Sequence, residues 1–295
     1  ESERERRRGL AYISAVYLAW GLMPAYWKLM RHIDPATILS HRAIWSAAFL
    51  LILIAAIYKP TGILEPLRDR KTLALTIVAS VSLLVQWAAY LVAITTNRLV
   101  ELSLGYFIYP IIVAFLGAIF LKERMTVPQI VAMVLASIGV LVKVLEHGGV
   151  PVLALTLAVS FSIYSIAKKK ARTKSINSIF YEVLFMLPLA LGYAAYAEAS
   201  GAGYFVKPDL GSATLLIGGG ILTAATLLLF AEGAKRIPIV VVGLLQYISP
   251  TMVLALGTLI YKEEFGSIHW LAFGIIWLAI AVSTIPAIGK NAKRT

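Results

Sequence analysis

The chain has 295 residues, of which 60% are hydrophobic and 14% are charged, whereas soluble domains contain about 45–50% apolar and about 25% charged residues. With so little charge for its surface and a mean hydropathy of +0.83, a soluble enzyme is excluded. The absence of cysteine also excludes a disulfide framework and a thiolate metal site. The composition therefore predicts a polytopic membrane protein.

Ten apolar runs, bounded by charges, glycine or proline, follow one another along the chain. Each is long enough for a transmembrane helix, which needs about 20 apolar residues, and is too uniformly apolar for a strand of a membrane barrel. The first run follows the charged residues 1–8 without the pattern of a cleaved signal peptide, so we expect it to be retained. The runs cover residues 10–29, 36–58, 72–95, 99–121, 127–145, 150–168, 176–198, 211–232, 239–261 and 268–288.

The Lys and Arg residues predict the orientation of these spans. With the N-terminus placed inside, twenty of the 27 lie on the inner side, six lie on the outer side, and Arg42 lies within a span. Because cytoplasmic loops carry the excess of Lys and Arg, both termini are predicted to be cytoplasmic. The same distribution accounts for the net charge of +12 without a nucleic-acid partner.

The two halves of the chain resemble each other at an offset of 140 residues. Eight of the 35 positions from 106 to 140 are identical to their counterparts, including Pro110, Gly117 and Lys122. A repeat of five helices is odd in number, so the second repeat enters the membrane from the opposite side, which is a transporter architecture with its site near the midplane. The predicted fold is an all-α integral membrane protein of ten transmembrane helices in two inverted five-helix repeats. Its predicted parts are an N-terminal tail (1–9), the two repeats (10–145 and 150–288) and a C-terminal tail (289–295).

Five segments resemble the RarD-type branch of the EamA transporters, in the drug/metabolite transporter superfamily. They occur in order, within a similarity that extends from about residue 9 to residue 288. The resemblance implies ten helices with inside termini in the bacterial inner membrane, and a central cavity lined mainly by helices 1, 3, 4, 6, 8 and 9, with helices 5 and 10 at the periphery. At Tyr109 the sequence departs from the small polar residue of the family. The segments are residues 18–28 (LAWGLMPAYWK), 41–46 (HRAIWS), 101–110 (ELSLGYFIYP), 120–124 (FLKER) and 244–250 (LLQYISP).

Arg42 is the sharpest single candidate for a functional residue. It lies about seven residues into helix 2, roughly 10 Å below its start at 1.5 Å per residue, and a charge within the membrane is a functional hypothesis by default. His41 and Trp45 are four residues apart and share a helix face. In the alternative interpretation, Arg42 extends to the outer interface while its stem covers apolar surface.

Glu182 takes the position of Arg42 in the second repeat, and Tyr181 takes that of His41. In inverted repeats these positions lie near opposite membrane faces, so no direct Arg42–Glu182 ion pair is expected. Glu182 either binds a cationic substrate group or carries a proton, with His41 as a second proton-coupling candidate. Alternatively, Glu182 stabilises the first turn of helix 7 through the helix dipole.

Aromatic and amide side chains recur at mid-span positions, next to prolines in helices 4 and 9. Proline kinks a helix and frees a backbone carbonyl, which a membrane tolerates beside a cavity or a polar neighbour. A pocket with aromatic walls and a few amides suits a small, partly apolar solute, whereas interfacial anchoring and helix packing are the alternatives. The predicted substrate-binding residues are Trp20, Arg42, Trp45, Gln86, Trp87, Tyr90, Tyr106, Tyr109, Tyr164, Glu182, Phe230, Gln246 and Tyr247.

Several other charged or small residues are expected to be structural. Gly218–Gly220 suits close helix packing, and the repeated Lys-Glu dipeptides at 122–123 and 262–263 suit helix ends. Charge pairing is expected between Arg98 and Glu101 and between Glu232 and the Lys235–Arg236 segment.

The sequence predicts a secondary transporter that exports a small organic metabolite or drug-like solute by alternating access, with Arg42, Gln86 and Gln246 orienting the solute. Membrane lipid, the solute and a coupling proton are the expected partners, and no cofactor or metal is expected. The chain lacks GxxxxGK[ST] and HExxH, which argues against an ATP-driven pump and a zinc enzyme. The alternative is a membrane enzyme or a non-transporting scaffold that acts on a lipid or a protein partner.

Overall fold

The computed structural model describes residues 3–57, 65–95, 99–147, 150–171, 173–206 and 209–256, together with separate helical residues between 260 and 282. Within these ranges the chain is helical and contains no strand. A short 3-10 helix (Glu65–Arg68) precedes the third α-helix. The α-helices are α1 (Glu3–Lys28), α2 (Pro35–Ile57), α3 (Arg70–Thr95), α4 (Leu99–Phe120), α5 (Val127–His147), α6 (Val152–Lys170), α7 (Ser175–Ala199), α8 (Leu210–Arg236), α9 (Ile239–Leu245) and α10 (Ile248–Ala255).

Five helices of the described chain are long and apolar enough to cross a membrane: α2, α3, α6, α7 and α8. Further apolar stretches cover Leu104–Phe120, Val127–Val142 and Ile239–Met252. Large apolar side chains such as Phe115 and Leu189 are more than half exposed on the outside, where lipid would cover them. The fold is thus that of an all-helical integral membrane protein. Most of the predicted tenth span, 268–288, lies outside the described residues.

The first helix extends beyond the predicted span into the charged N-terminal segment. Glu3 pairs with Arg7 at 3.1 Å, and Glu5 pairs with Arg8 at 2.9 Å. Such pairs, three or four residues apart, stabilise a helix in water. The predicted tail of residues 1–9 is therefore, from residue 3, the first part of α1.

The ninth predicted span is not one continuous helix, because α9 and α10 are separated by a turn at Gln246 and Tyr247. Pro250 lacks the N–H that would bond to the carbonyl of Gln246, and the N–H of Ser249 donates to that carbonyl instead, at 3.0 Å. Gly243 packs so closely on Pro110 and Val113 that a Cβ would overlap them. The sequence predicted a proline kink in this span, and the structure places the interruption at Gln246 and Tyr247, about one turn before Pro250.

The helices pack across the two repeats in a paired pattern. In the first pair of contacts, α4 packs on α6 and α10 packs on α1; in the second, α3 packs on α6 and α8 packs on α1. Each contact is matched by the one obtained on exchanging the halves, as expected for repeats related by a two-fold axis. By contrast, α5 packs mainly on α4, which places it at the periphery.

Polar contacts join the helices at the end of the bundle where α1 begins, here called the N-terminal end. Arg236 donates to Glu5 at 2.9 Å and also forms an ion pair with Glu232, as predicted. Lys235 donates to the carbonyl of Thr173 at 2.6 Å. These contacts hold α1, α8 and the segment before α7 together.

A second set of contacts joins the opposite end, here called the distal end. Tyr193 donates to Asp34 at 2.7 Å, and Tyr26 donates to the carbonyl of Leu215 at 2.6 Å. The side chains of His32 and Ser212 are 2.9 Å apart. The segment between α1 and α2 is thus tied to both α7 and α8.

Candidate functional site

An aromatic cluster occupies the middle of the bundle, where helices of the two repeats meet. Neighbouring rings have centroid separations of 5.0–6.4 Å, within the range that favours aromatic pairs. The cluster joins α1, α4, α6 and α8. Four of its rings are buried, and the rings of Trp20 and Phe161 are partly accessible. Its members are Tyr17, Trp20, Tyr109, Phe161, Tyr164 and Phe230.

Tyr109 and Tyr164 join this cluster to polar groups. The hydroxyl groups of Tyr109 and Ser165 are 3.0 Å apart, so this tyrosine supplies a polar contact where the family pattern predicts a small polar residue. The hydroxyl of Tyr164 is buried and lies close to the carboxylate of Glu182. The Nζ of Lys168 lies 5.7 Å from the centroid of the Tyr164 ring.

Arg42 is held inside the bundle by side chains from three other helices. The Cζ of its guanidinium group lies 4.9 Å from the ring centroid of Trp27 and 4.8 Å from that of Trp87, both within cation–π range. Its Nε donates to Oγ1 of Thr223 at 3.1 Å, and Thr223 in turn donates to the carbonyl of Gly219. Contacts with α1, α3 and α8 therefore fix this arginine among the helices, rather than along the lipid surface.

Tyr90 and Tyr106 complete the surroundings of Arg42. Tyr106 is 36% exposed, yet it lies deep among protein atoms, and accessible surface at such a position lines a cavity. Tyr109 follows Tyr106 by one helical turn on α4. The polar site around Arg42 is thus continuous with the aromatic cluster.

A buried ion pair connects α6 and α7 near the N-terminal end. Nζ of Lys168 lies 2.7 Å from Oε1 of Glu182, and both side chains are fully buried. Ser178 accepts from Lys168 at 2.7 Å and donates to Glu182 at 3.0 Å. The second carboxylate oxygen of Glu182 has no hydrogen-bond partner in the described part of the chain.

This ion pair and the position of Glu182 in α7 bear on two of the interpretations given for Glu182 from the sequence. As expected, Glu182 does not pair with Arg42, because its partner is Lys168. Since α7 begins at Ser175, Glu182 lies about two turns into the helix, and stabilisation of the first turn is the wrong interpretation. Sequence reasoning counted Lys168 only as an inner-loop charge and missed the pair. The one sequence signal for the pair was the separation of Lys168 and Glu182 by 14 residues, on either side of the turn between two predicted helices.

His41 and Trp45 lie at the distal end and not within the aromatic cluster. Trp45 donates through Nε1 to Nδ1 of His41 at 3.2 Å, which confirms that they share a helix face. The ring of Phe205, from the segment between α7 and α8, stacks on His41 with a centroid separation of 4.3 Å. Glu198 accepts from the N–H of Phe205 at 2.6 Å and holds this segment in place.

The amide candidates occupy different environments. Gln86 is half-buried on α3, next to the Trp87 that contacts Arg42. Gln246 is buried at the break between α9 and α10, and its Oε1 has no hydrogen-bond partner within the described residues. Tyr247 donates to the carbonyl of Phe107 at 3.2 Å.

The remaining structural predictions divide into those that can be seen and those that fall outside the described chain. A Cβ on Gly220 would overlap Trp45 and the backbone of Ser46, and one on Gly219 would contact Trp27, which confirms close helix packing. Glu123 accepts from the N–H of Ile239 at 2.7 Å and so caps α9. The side chains at 98, 101, 262 and 263 are not described. Within the described ranges, no group of His, Cys, Asp and Glu is arranged to hold a metal ion.

These features define the class: a helical integral membrane protein with an aromatic and cationic site between its two halves. The EamA-like transporter family model matches residues 7–145 and 150–285, so the chain belongs to that family, within the drug/metabolite transporter superfamily, and is a multi-pass protein of the inner membrane.

Full-length relatives support the RarD-type branch predicted from the motifs. The chain is 36% identical to an uncharacterized transporter, YojE, of Bacillus subtilis, over 96% of each protein. It is 35% identical to the protein RarD of Streptomyces exfoliatus, over 100% of this chain and 93% of the relative. A protein of known crystal structure has the same fold, with a TM-score of 0.72 at 17% identity over 97% of this chain and 99% of that chain.

Proposed function

We propose that the protein is a secondary transporter that exports a small organic solute from the cytoplasm by alternating access. The observation that supports this most directly is the Arg42 site together with the aromatic cluster, which receives side chains from both repeats. Pockets of this kind, with apolar walls and few polar groups, bind small solutes and fix their orientation. The family membership supports the same function.

The two repeats, residues 10–145 and 150–288, are the proposed moving units. Polar contacts at each end of the bundle join helices of the two repeats, among them Arg236–Glu5 at the N-terminal end and Tyr193–Asp34 at the distal end. In an alternating-access cycle, the Arg236–Glu5 contact would break when the N-terminal end opens, and the Tyr193–Asp34 contact would break when the distal end opens. The excess of Lys and Arg at the N-terminal end supports its placement in the cytoplasm.

The proposed coupling site is the buried Lys168–Glu182 pair. Burial penalises both charged forms, and opening of the N-terminal end would admit the water that lets Glu182 exchange a proton. Glu232 and Lys235 are other charged groups close to the pair. His41, the second candidate, is engaged with Trp45 and Phe205 at the distal end.

The decisive experiment compares metabolite export by cells that contain the wild type and cells that contain variants, followed by flux of the exported solute in proteoliposomes. We expect Arg42→Gln to reduce flux at least tenfold at equal amounts of folded protein. Arg31→Gln, which removes an exposed arginine at the distal end, is the charge-matched control and should transport normally. Undiminished flux in Arg42→Gln would remove Arg42 from the site. A changed lipid profile without any solute flux would support the enzyme or scaffold alternative instead.

A further inference from the structure

We propose that the transported solute is an organic monoanion, whose carboxylate binds Arg42 and whose flat apolar body lies on the aromatic cluster. This inference rests on the proposed transport function and specifies its substrate class. Three independent observations carry it: the unused donors of Arg42, the charge difference between equivalent positions of the two repeats, and the spacing between Arg42 and the aromatic rings.

The guanidinium group of Arg42 retains most of its hydrogen-bonding capacity. Arginine has five N–H donors, and within the described part of the chain Arg42 donates through Nε alone, to Thr223. No carboxylate among the described residues forms an ion pair with it. A cation so enclosed is costly unless it is paired, and its two terminal nitrogens have the fork geometry that binds a carboxylate through two parallel hydrogen bonds.

The second repeat shows what the equivalent positions look like when their charge is balanced. At the 140-residue offset, Lys168 corresponds to Lys28 and Glu182 corresponds to Arg42. Lys168 and Glu182 neutralise each other at 2.7 Å. In the first repeat, a cation stands where the second has its carboxylate, so the two positions carry two positive charges. Arg42, unlike Glu182, forms no ion pair with a described residue, and an anionic ligand would supply the opposite charge there.

The position of the aromatic cluster sets the shape of the ligand. Trp27 contacts Arg42, and Trp20 belongs to the cluster. These two residues are seven positions apart on α1, which corresponds to about 10 Å along the helix. One solute could therefore place its carboxylate at Arg42 and its aromatic ring on Trp20 if two or three carbons, or a longer chain, link these two groups.

The charges near Arg42 disfavour a zwitterionic amino acid. An α-ammonium group beside the carboxylate is best balanced by an acidic side chain close to Arg42. No described acidic residue is in contact with Arg42: Glu182 is paired with Lys168, and Glu198 binds the backbone of Phe205 and Val206 at the distal end. A ligand with a negative charge alone matches the described groups better.

The test measures binding to the purified, full-length protein in nanodiscs at neutral pH, by calorimetry and by the shift of the thermal unfolding midpoint. The probes are 3-phenylpropionate, its neutral amide 3-phenylpropanamide, phenylalanine, phenethylamine and acetate. We expect 3-phenylpropionate to bind at least tenfold more tightly than the amide and the two amines, and acetate to bind weakly because it lacks the ring. Equal binding of the acid and the amide by the wild type would overturn the proposal, and this comparison needs no variant.

Two variants assign the anion to Arg42. Arg42→Gln should abolish the preference for the acid over the amide, Arg42→Lys should retain only part of it because Lys lacks the planar fork, and the control Arg31→Gln should retain it fully. A preference that persists in folded Arg42→Gln would overturn the assignment. Export of a neutral solute in the flux experiment would contradict this inference while leaving the proposed transport function intact.

Discussion

The hydroxyl of Tyr247 donates a hydrogen bond to the backbone carbonyl of Phe107, 3.2 Å away, and these two residues occupy the same position in the two repeats, 140 residues apart. A contact between equivalent positions can form only where the two-fold axis passes between them. This bond therefore marks the axis of the fold. It also joins α4 to the break between α9 and α10.

Replacing Tyr247 with Phe should weaken the contact between the repeats without leaving a cavity in the core. The variant keeps the ring and leaves the carbonyl of Phe107 without its additional donor, so we expect a loss of about 0.5–1.5 kcal/mol in the free energy of unfolding. The measurement is unfolding in mixed detergent micelles, followed by circular dichroism. Tyr196→Phe is the control, because the side chain of Tyr196 is 67% exposed and the loss of a hydroxyl there should cost little. Equal losses in both variants would contradict a stabilising role for the Tyr247 bond.

Removing one member of the Lys168–Glu182 pair should destabilise the protein more than removing both. Lys168→Met leaves Glu182 as a buried, unpaired carboxylate, and breaking a buried ion pair in this way costs about 3–5 kcal/mol. The double variant Lys168→Met/Glu182→Leu removes both charges and should regain most of that loss. The yield of monodisperse protein and the unfolding midpoint measure the effect. Lys170→Met, at an exposed position of the same helix, is the control, and additive losses in the double variant would show that the two charges are not coupled.

Gly220 should not tolerate even the smallest side chain. A Cβ there would overlap Trp45 and the backbone of Ser46 on α2, so Gly220→Ala should force α2 and α8 apart at a cost of about 1–3 kcal/mol. Gly192, on α7, has open space where its Cβ would lie, and Gly192→Ala should be neutral or stabilising because alanine favours helix. Thermal unfolding of both variants tests the difference, and an unfolding midpoint of Gly220→Ala at the wild-type value would contradict the close packing.

Asp209 should contribute pH-dependent stability at the distal end. It caps α8 by accepting from the N–H of Ser212 at 3.0 Å, and these hydrogen bonds lower the pKa of its carboxyl below the usual value of 3.8. A pKa that is lower in the folded state gives a contribution that is complete above the unfolded pKa and is lost as the pH falls through the folded pKa. Asp209→Asn keeps an acceptor but should flatten the fall in unfolding free energy between about pH 5 and about pH 2. An unchanged slope would show that other carboxylates account for it.

Much of the fold follows from local properties of the sequence. The length of each apolar run and the charges that bound it predicted α2 to α8 within a few residues. Proline was predicted to kink helices 4 and 9 alike, but α4 contains Pro110 and is continuous, whereas the chain turns at Gln246 and Tyr247 before Pro250. Gly243 and the close approach of α4 distinguish the two prolines, and both are tertiary features.

The sequence predicted many of the residues of the site but not which of them lie together. Arg42, Trp87, Tyr90 and Tyr106 were each singled out as polar or aromatic residues within spans, and the structure brings them together. Trp27 and Thr223 were missed, because a tryptophan at a helix end and a threonine in an apolar run are common features of membrane helices. Their role depends on how α1 and α8 are rotated against α2, which the sequence pattern does not specify.

The packing of α1 has a consequence for how the chain assembles during synthesis. Its main neighbours are α8 and α10, and its bonds to Arg236 and Ser249 span 231 and 232 residues. α1 therefore enters the bilayer before α8 and α10 have been synthesised, and it contacts these neighbours only after they insert. In membrane proteins, insertion and helix association are separable stages, and for α1 the synthesis of 231 or 232 further residues separates them.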